Sequence, residues 1–387
     1  IGCQMNEADS RHLGSQLESL GFRATDTADD ADLVVLNTCV VRQQAEDKAV
    51  GRLGGLKSIK ERRPDMTIGL MGCMVGMREA PRLRKRFPFV DVFMPPSDTG
   101  PLLDYLADHD GFDPSLAHET RVRAIRDAVQ DEEHILPALR RGQAVLANVP
   151  IVLGCSHACS FCVIPYRRGA ERSLPREQIL GEIRALADQG VREVMLLGQI
   201  VDRYGVDLDD GSTLSSLLRD VADVDGLHRV RFLTSHPNWM TDQLLDTVAE
   251  VDKICPHIEV PIQAGNDQVL ERMRRGYTVE QYRRLIDRIR ERIPDAAINT
   301  DIIVGFPGET EADWRQTLEY VEGIGFGHLH IFPYSPRSGT KAAGLPEQVA
   351  PEVKKARSRE LHDLAGRMKR ATLEAYRGRT LPVLVEG

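Results

Sequence analysis

The sequence predicts an α/β protein made of two parallel-sheet units in succession, an open sheet followed by a complete or partial barrel. Three observations carry this. Short apolar runs alternate with helix-spaced stretches along nearly the whole chain, the pattern of repeated βα units. The 387 residues exceed one ordinary domain. Between Ala107 and Gly142 the pattern dissolves into a charged, aromatic-poor stretch that separates the two series.

The first series opens with a helix over Glu7–Leu20, where apolar residues fall at helix spacing and Gly21 is a stop signal. Leu33–Leu36 is a short apolar strand leading into Asn37-Thr38-Cys39. A helix over Gln44–Arg62 follows and is stopped by Pro64. Thr67–Met71 is a second apolar strand, leading into Gly72-Cys73. Cys39 and Cys73 therefore fall just past the carboxyl ends of strands, where open α/β sheets place ligands. Cys3 stands just before the first helix. Residues 1–106 are expected to form this unit. Residues 107–142 read as a linker, partly helical, or equally as a solvated face carrying Asp131-Glu132-Glu133 and Arg140-Arg141.

In the second series, within residues 143–376, strands are expected at Ala147–Leu153, Glu193–Leu197, Val230–Thr234, His257–Ile262, Ala297–Val304 and His328–Phe332. Amphipathic helices fill the gaps, among them Arg176–Gln189, Thr241–Val251 and Glu311–Ile324. Six such repeats point to a parallel barrel, whole or incomplete, with right-handed crossovers. A helix over Pro351–Tyr376 follows. Lys354–Arg379 holds nine basic and three acidic residues, a basic patch or simply a solvated helix face. Within residues 377–387, Thr380–Val385 reads as one β-strand of a further unit.

Composition narrows the function. With 42% hydrophobic and 28% charged residues, a collagenous or wholly disordered chain is excluded. No apolar run reaches the roughly 18 residues that span a bilayer. Ile1-Gly2-Cys3 lacks the features of a signal peptide, so a cytoplasmic location is expected. A net charge of −8 excludes coating nucleic acid by bulk charge but leaves room for a local basic patch. Seven cysteines, an odd number in a long chain, do not make a disulfide framework.

The strongest signal is Cys155-Ser-His-Ala-Cys159-Ser-Phe-Cys162, three soft ligands in the loop after the first barrel strand. A structural zinc site closes with four ligands, so three are one short. His157 lies between the first two cysteines, where it is expected to point away. A 4Fe-4S cluster with one open iron fits better, because that iron can bind a small chelating ligand. Zinc or plain structural thiols remain as alternatives. Cys3, Cys39 and Cys73, each at one edge of one α/β unit, could equally be buried core thiols.

These motifs resemble the radical S-adenosylmethionine (SAM) methylthiotransferase family over essentially the whole chain. The resemblance rests on Gly2-Cys3-Gln4-Met5-Asn6, Asn37-Thr38-Cys39, Gly72-Cys73 and the string from Gly154 through Cys162 to Pro165-Tyr166-Arg167-Arg168-Gly169. Leu197-Gly198-Gln199, Thr234-Ser235-His236-Pro237, Asp301 to Thr310 and Tyr334-Ser335-Pro336-Arg337 match as well. The resemblance implies a partial (β/α)6 radical SAM barrel, with Thr380–Val385 beginning a small RNA-binding β-barrel of the TRAM type. It implies that Cys155, Cys159 and Cys162 hold the radical 4Fe-4S cluster and that Cys3, Cys39 and Cys73 hold an auxiliary one. Two roles for SAM follow, methyl donor and radical source.

Gln4-Met5-Asn6 is most like the type that modifies tRNA, which implies 2-methylthiolation of N(6)-isopentenyladenosine beside the anticodon. Methylthiolation of N(6)-threonylcarbamoyladenosine or of a ribosomal protein side chain is the alternative within the family. Outside it stands a non-catalytic RNA-binding protein stiffened by zinc. The implied partners are tRNA, an electron donor such as flavodoxin or ferredoxin and a sulfur source, acting on a monomer without a membrane.

Weaker signals remain. Phe161 is expected against the adenine of SAM or in the core. Gln199, Ser235 and Gln263, at the carboxyl ends of barrel strands, are expected to hold SAM or only to bond their loops. Gly305 and Gly308 permit a tight turn near the adenine, and they do not have phosphate-loop spacing. Arg167 and Arg168 are possible RNA phosphate contacts. Cys255 reads as a half-buried structural thiol. Leu174 stands where the family usually has arginine, and Ile200 where it has asparagine.

Overall fold

In the computed structural model, which describes residues 2–109, 118–129, 136–137 and 141–385, the first unit is a parallel sheet. Its strands β1 (Leu33–Thr38), β2 (Thr67–Gly72) and β3 (Val92–Met94) lie in that order. β2 is buried on both faces, which is why it reads as an unbroken apolar run. Helix α1 (Gln4–Ser19) precedes the sheet, α2 (Gln43–Arg62) joins β1 to β2, and α3 (Ala80–Arg86) leads to β3. α4 (Gly100–His109) and α5 (His118–Val129) follow. Val122 and Ile125 of α5 are buried with Leu13, Leu102 and Leu106, so part of the stretch read as linker helps build the first unit's core. Asp131–Glu133 and Arg140 lie outside the described residues.

The second unit contains six parallel strands wrapped by helices. β4 (Leu146–Pro150) continues into the short β5 (Val152–Leu153), and α6 (Ile164–Arg168) and β6 (Arg172–Ser173) follow. α7 (Arg176–Asp188), β7 (Glu193–Leu197), α8 (Leu214–Ala222) and β8 (Arg229–Leu233) come next. Then come α9 (Asp242–Glu250), β9 (His257–Glu259), α10 (Asp267–Met273), α11 (Val279–Arg292), β10 (Ala297–Val304), α12 (Glu311–Ile324) and β11 (His328–Pro333). β4-β7-β8 and β9-β10-β11 form two parallel sheets. Val230 N–H to Lys253 O, Cys255 N–H to Val230 O and Ser235 N–H to Glu259 O stitch them together, giving an open six-stranded barrel. Thr278/Gln281 and Thr310/Asp313 capping boxes start α11 and α12, the latter over the expected residues.

β9 is shorter than expected. It ends at Glu259: the Ile262 N–H bonds Thr300 Oγ1 at 2.9 Å instead of a ladder carbonyl, and the chain pairs with β10 again at Gln263, whose φ is 77°. Thr380–Val385 is not a strand. A lone strand has no partner to complete a ladder, and this segment instead lies along the barrel, where Pro382 O accepts from Arg229 Nη2 at 2.8 Å.

The first unit caps the barrel mouth. Met5 of α1 is buried among Leu153, Met195, Leu197 and Leu233. Glu7 accepts from Asn148 Nδ2 at 3.0 Å, and Arg11 forms a buried ion pair with Glu182 of α7. On the far side Arg337, past β11, bonds Gln43 at 2.9 Å and pairs with Glu46 of α2. The final helix, α13 (Pro351–Glu374), buries Leu361 and Leu364 in the barrel's outer core, and its Arg357 pairs with buried Glu309.

Candidate metal centres and the barrel chamber

Cys3, Cys39 and Cys73 stand at one rim of the first unit, held there by two asparagines. Asn6, 3% exposed, donates from Nδ2 to Asn37 Oδ1 at 2.6 Å and to Thr38 O at 2.9 Å. Asn37 Nδ2 returns a bond to Asn6 O at 2.9 Å. The Cys3 thiol meets Asn6 Oδ1 at 3.3 Å, and Cys73 N–H donates to Thr38 O at 2.9 Å. The asparagines beside Cys3 and Cys39 therefore lock three distant loops to one another. Gly72, at φ 98°, is required here because a Cβ would lie 2.5 Å from Asn37 Oδ1 and Thr38 O.

The Cys155–Cys162 loop leaves the barrel between the antiparallel pair β5 and β6. Cys155 N–H donates to Gly169 O at 3.1 Å and closes its base. Gly154, at φ 71°, passes so near that a Cβ would sit 2.1 Å from Ala170 O. The tip is pinned by Ser160, whose N–H donates to Met273 O at 3.0 Å and whose hydroxyl donates to Arg272 O at 2.8 Å. His157 packs edge-on against His236 and Trp239, with centroids 4.8 and 5.4 Å away. Burial holds both histidines below the usual imidazole range, with His236 at about 2, so both are neutral.

Sulfur spacing tests which metal group fits. Neither cysteine trio brings its three sulfurs within 4.8 Å of one another, and His157 joins no such group. A tetrahedral zinc with Zn–S near 2.3 Å needs sulfurs roughly 3.8 Å apart. A 4Fe-4S cluster takes one thiolate on each of three irons, and the Cys155–Cys162 loop opens onto a cavity of about 180 Å³ lined by Ser156, Ala158, Cys159, Cys162 and Arg274. Burial pushes Cys73 up to about 11 and Cys162 up to about 12, so these thiols stay protonated until a metal takes the proton's place. One buried arginine serves each trio: Arg275 Nη1 donates to Cys159 Sγ at 3.2 Å, and the charge of Arg168 draws Cys73 down against its burial.

The lumen is polar, unlike a barrel filled by packed apolar layers. Arg231 pairs with Glu193, and Asn299 Nδ2 meets His257 Nε2 at 2.7 Å. Above them Glu259, Asp301 and His330, on three neighbouring strands, bring their ligand atoms within 4.8 Å. Burial, then Glu259, push the Asp301 carboxyl up. Phe332 stacks on His330 and lies under the Arg42 guanidinium, 4.6 Å from its centroid. Arg42 follows Cys39 by three residues, so the Cys39 loop projects over this chamber.

Comparison with known proteins places this geometry. The family described as "Radical SAM superfamily" matches residues 149–321, and that described as "Uncharacterized protein family UPF0004" matches residues 1–95. The tRNA-2-methylthio-N(6)-dimethylallyladenosine synthase of Caldicellulosiruptor saccharolyticus is 41% identical over 392 residues, covering 100% of this chain and 81% of its own length. Its namesake from Chloroflexus aurantiacus is 43% identical over 391 residues, covering 100% and 80%. The chain belongs to this synthase family. Among solved structures, the radical SAM methyltransferase TsrM from Kitasatospora setae shares the fold, with TM-score 0.53, 14% identity and coverage of 86% of this chain and 66% of that one. The cobalamin-dependent radical enzyme OxsB gives TM-score 0.51 and 12% identity, over 86% and 48%.

The residues expected at the rim lie at or just past the ends of barrel strands. Gln199 is half-buried at the end of β7, and Gln263 is 8% exposed beside β10. Ser235 is 3% exposed, and its hydroxyl lies beside Asp202 without a well-formed hydrogen bond. Phe161 packs partly against the main core. Arg167 and Arg168 are not free for RNA: Arg167 pairs with Glu79 at 3.5 Å, and Arg168 is buried. Their place in a cluster motif, not their charge, was the usable signal. Arg275 gave none, since it reaches Cys159 across 116 residues. Glu259 and His330 gave none because strand register, not spacing, brings them together.

Asp202 gives a pH test of the rim. Its carboxyl accepts from His236 N–H at 2.8 Å, and burial raises it from 3.8 to about 7. A folded value above the unfolded one means that the stability it contributes is fully present below about pH 4 and is lost as pH rises through 7. Asp202→Asn should flatten the fall in melting temperature between about pH 4 and 7. An unchanged slope would assign that dependence to other groups.

Proposed function

We propose that this protein 2-methylthiolates N(6)-dimethylallyladenosine in tRNA, drawing on two 4Fe-4S clusters and SAM. The single observation behind this reading is that a chain of this synthase family carries two cysteine trios, one at the rim of the first unit and one in the loop after the first barrel strand. In this reading Cys155, Cys159 and Cys162 hold the radical cluster, and Cys3, Cys39 and Cys73 hold the auxiliary one. Bound there, the clusters and SAM supply radical cleavage of a C–H bond and a methylated sulfur, chemistry that no side chain offers.

The protein's own residues bind, orient and exclude water. Arg275 donates to Cys159 and stabilises negative charge there. Gln199, Ser235 and Gln263 hold SAM at the rim, with Phe161 beside its adenine. Met5 and its leucine neighbours close one side of the mouth to water. Glu259, Asp301 and His330 would offer hydrogen bonds to the substrate adenine, and the Arg42 guanidinium over Phe332 a planar surface for it.

Anaerobic purification tests the cofactor assignment: brown protein with about eight irons and no zinc is expected for two four-iron clusters. Colourless zinc protein would favour the RNA-binding alternative. We further propose that a small iron-sulfur or flavin electron carrier reduces a monomeric enzyme, that a separate donor restores sulfur and that the enzyme works in the cytoplasm. No helix among the described residues is long and apolar enough to cross a membrane.

For tRNA, the exposed cations on α13 are the reading's contact surface. Arg357 is buried on Glu309, Arg377 pairs with Glu374 at 3.1 Å, and Arg379 pairs with Asp295 at 3.2 Å. Lys369 and Arg370 are exposed and make no ion pair among the described residues. Lys369→Glu with Arg370→Glu should weaken tRNA binding several-fold. Each lost phosphate contact should also flatten log affinity against log salt by somewhat under one unit. Unchanged affinity and slope would move the RNA contact elsewhere.

A further inference from the structure

Arg168 is the last residue of α6, six residues past Cys162, so by sequence it belongs to the barrel's cysteine loop. Its side chain does not stay there. It is 3% exposed and crosses into the first unit, where it meets Asp9 Oδ2 at 3.4 Å and Ser97 Oγ at 3.3 Å. Ser97 itself donates to Asp9 Oδ1 at 2.6 Å, which fixes the acceptor. Asp9 lies on α1, the helix that Cys3 caps, and the positive charge of Arg168 draws the Cys73 and Cys39 thiols down against the rise that burial gives them.

A buried guanidinium is costly unless charge and hydrogen bonds compensate it. Asp9, also 3% exposed, supplies one compensating charge. Three thiolates around a cluster add more negative charge on the same side. Arg42, whose charge also draws the Cys39 thiol down, is exposed and screened by water. Arg168 is thus the buried positive charge at the amino-terminal site, and the segment that follows the radical cluster's last cysteine supplies it.

We propose that Arg168 is a positioning residue for the amino-terminal cluster. It offsets the charge of the Cys3–Cys39–Cys73 site, makes that cluster easier to reduce, and ties its place to the loop that carries the radical cluster. This rests on the reading that both trios hold iron-sulfur clusters. A nearby positive charge stabilises the reduced, more negative state of a cluster and so raises its potential, as do hydrogen bonds to its sulfurs.

The test is a reductive titration of the purified two-cluster protein followed by electron paramagnetic resonance, on wild type, Arg168→Gln and Arg168→Lys. In Arg168→Gln the amino-terminal cluster should reduce at a more negative potential, while the signal from the Cys155–Cys162 cluster stays in place as an internal reference. Arg168→Lys should recover most of the shift, because it keeps the charge and loses only the guanidinium's shape. An unmoved amino-terminal potential in Arg168→Gln would overturn the proposal, as would equal shifts of both clusters. If Arg168→Gln loses the amino-terminal iron, Arg168→Lys decides: recovered iron supports a charge role, and equal loss overturns it. Wild-type protein with iron at the barrel site alone would refute the two-cluster reading itself.

Discussion

Cys159→Ala is expected to abolish SAM cleavage and to lower bound iron from about eight to about four per chain. Cys159 sits at the centre of a loop clamped at its base by β5 and β6 and pinned at its tip by Ser160. The substitution therefore leaves the loop's backbone bonds intact and removes one metal ligand. It also strips Arg275 of its sulfur partner, although Tyr277 and Pro261 O still hold that guanidinium. Iron counting with a SAM-cleavage assay checks this. Full iron and full cleavage would remove the Cys155–Cys162 loop from the chemistry.

Cys39→Ala should separate the two halves of the reaction. SAM cleavage without RNA should persist, because the barrel loop makes its own contacts in a different sheet. Methylthio product should fall to background, since sulfur delivery depends on the Cys3–Cys39–Cys73 site. The fold should survive: Asn6, Asn37 and Thr38 bind the three loops through backbone and amide groups that the substitution does not touch. Loss of all iron, or continued formation of methylthio product, would show that the two sites do not divide the work this way.

Much of this was legible in the sequence, for reasons visible in particular residues. β7, β10 and α12 run over the expected residues because apolar runs are bounded there by clear signals, such as the Thr310/Asp313 capping box. β3 was not anticipated: three residues are too few to show a period. β9 was read too long because Val260 and Ile262 are apolar, while the side-chain bond from Thr300 that takes the Ile262 N–H comes from a strand 38 residues away. The cysteine loops were legible as motifs. The groups that serve them were not: Arg168 looked like a surface cation, and only the fold shows it crossing between the units. The Glu259, Asp301 and His330 chamber likewise exists only once three parallel strands are in register.

This chain is expected to place a methylthio group on a prenylated adenosine of tRNA, with both cysteine trios required. Mass spectrometry of tRNA nucleosides from a strain lacking the gene, complemented with wild type, Cys39→Ala or Cys159→Ala, tests it most directly. 2-Methylthio-N(6)-dimethylallyladenosine should appear with wild type, and only the unthiolated N(6)-dimethylallyladenosine with either variant. A methylthio mark on N(6)-threonylcarbamoyladenosine instead, or an unaltered nucleoside profile in the strain lacking the gene, would contradict it.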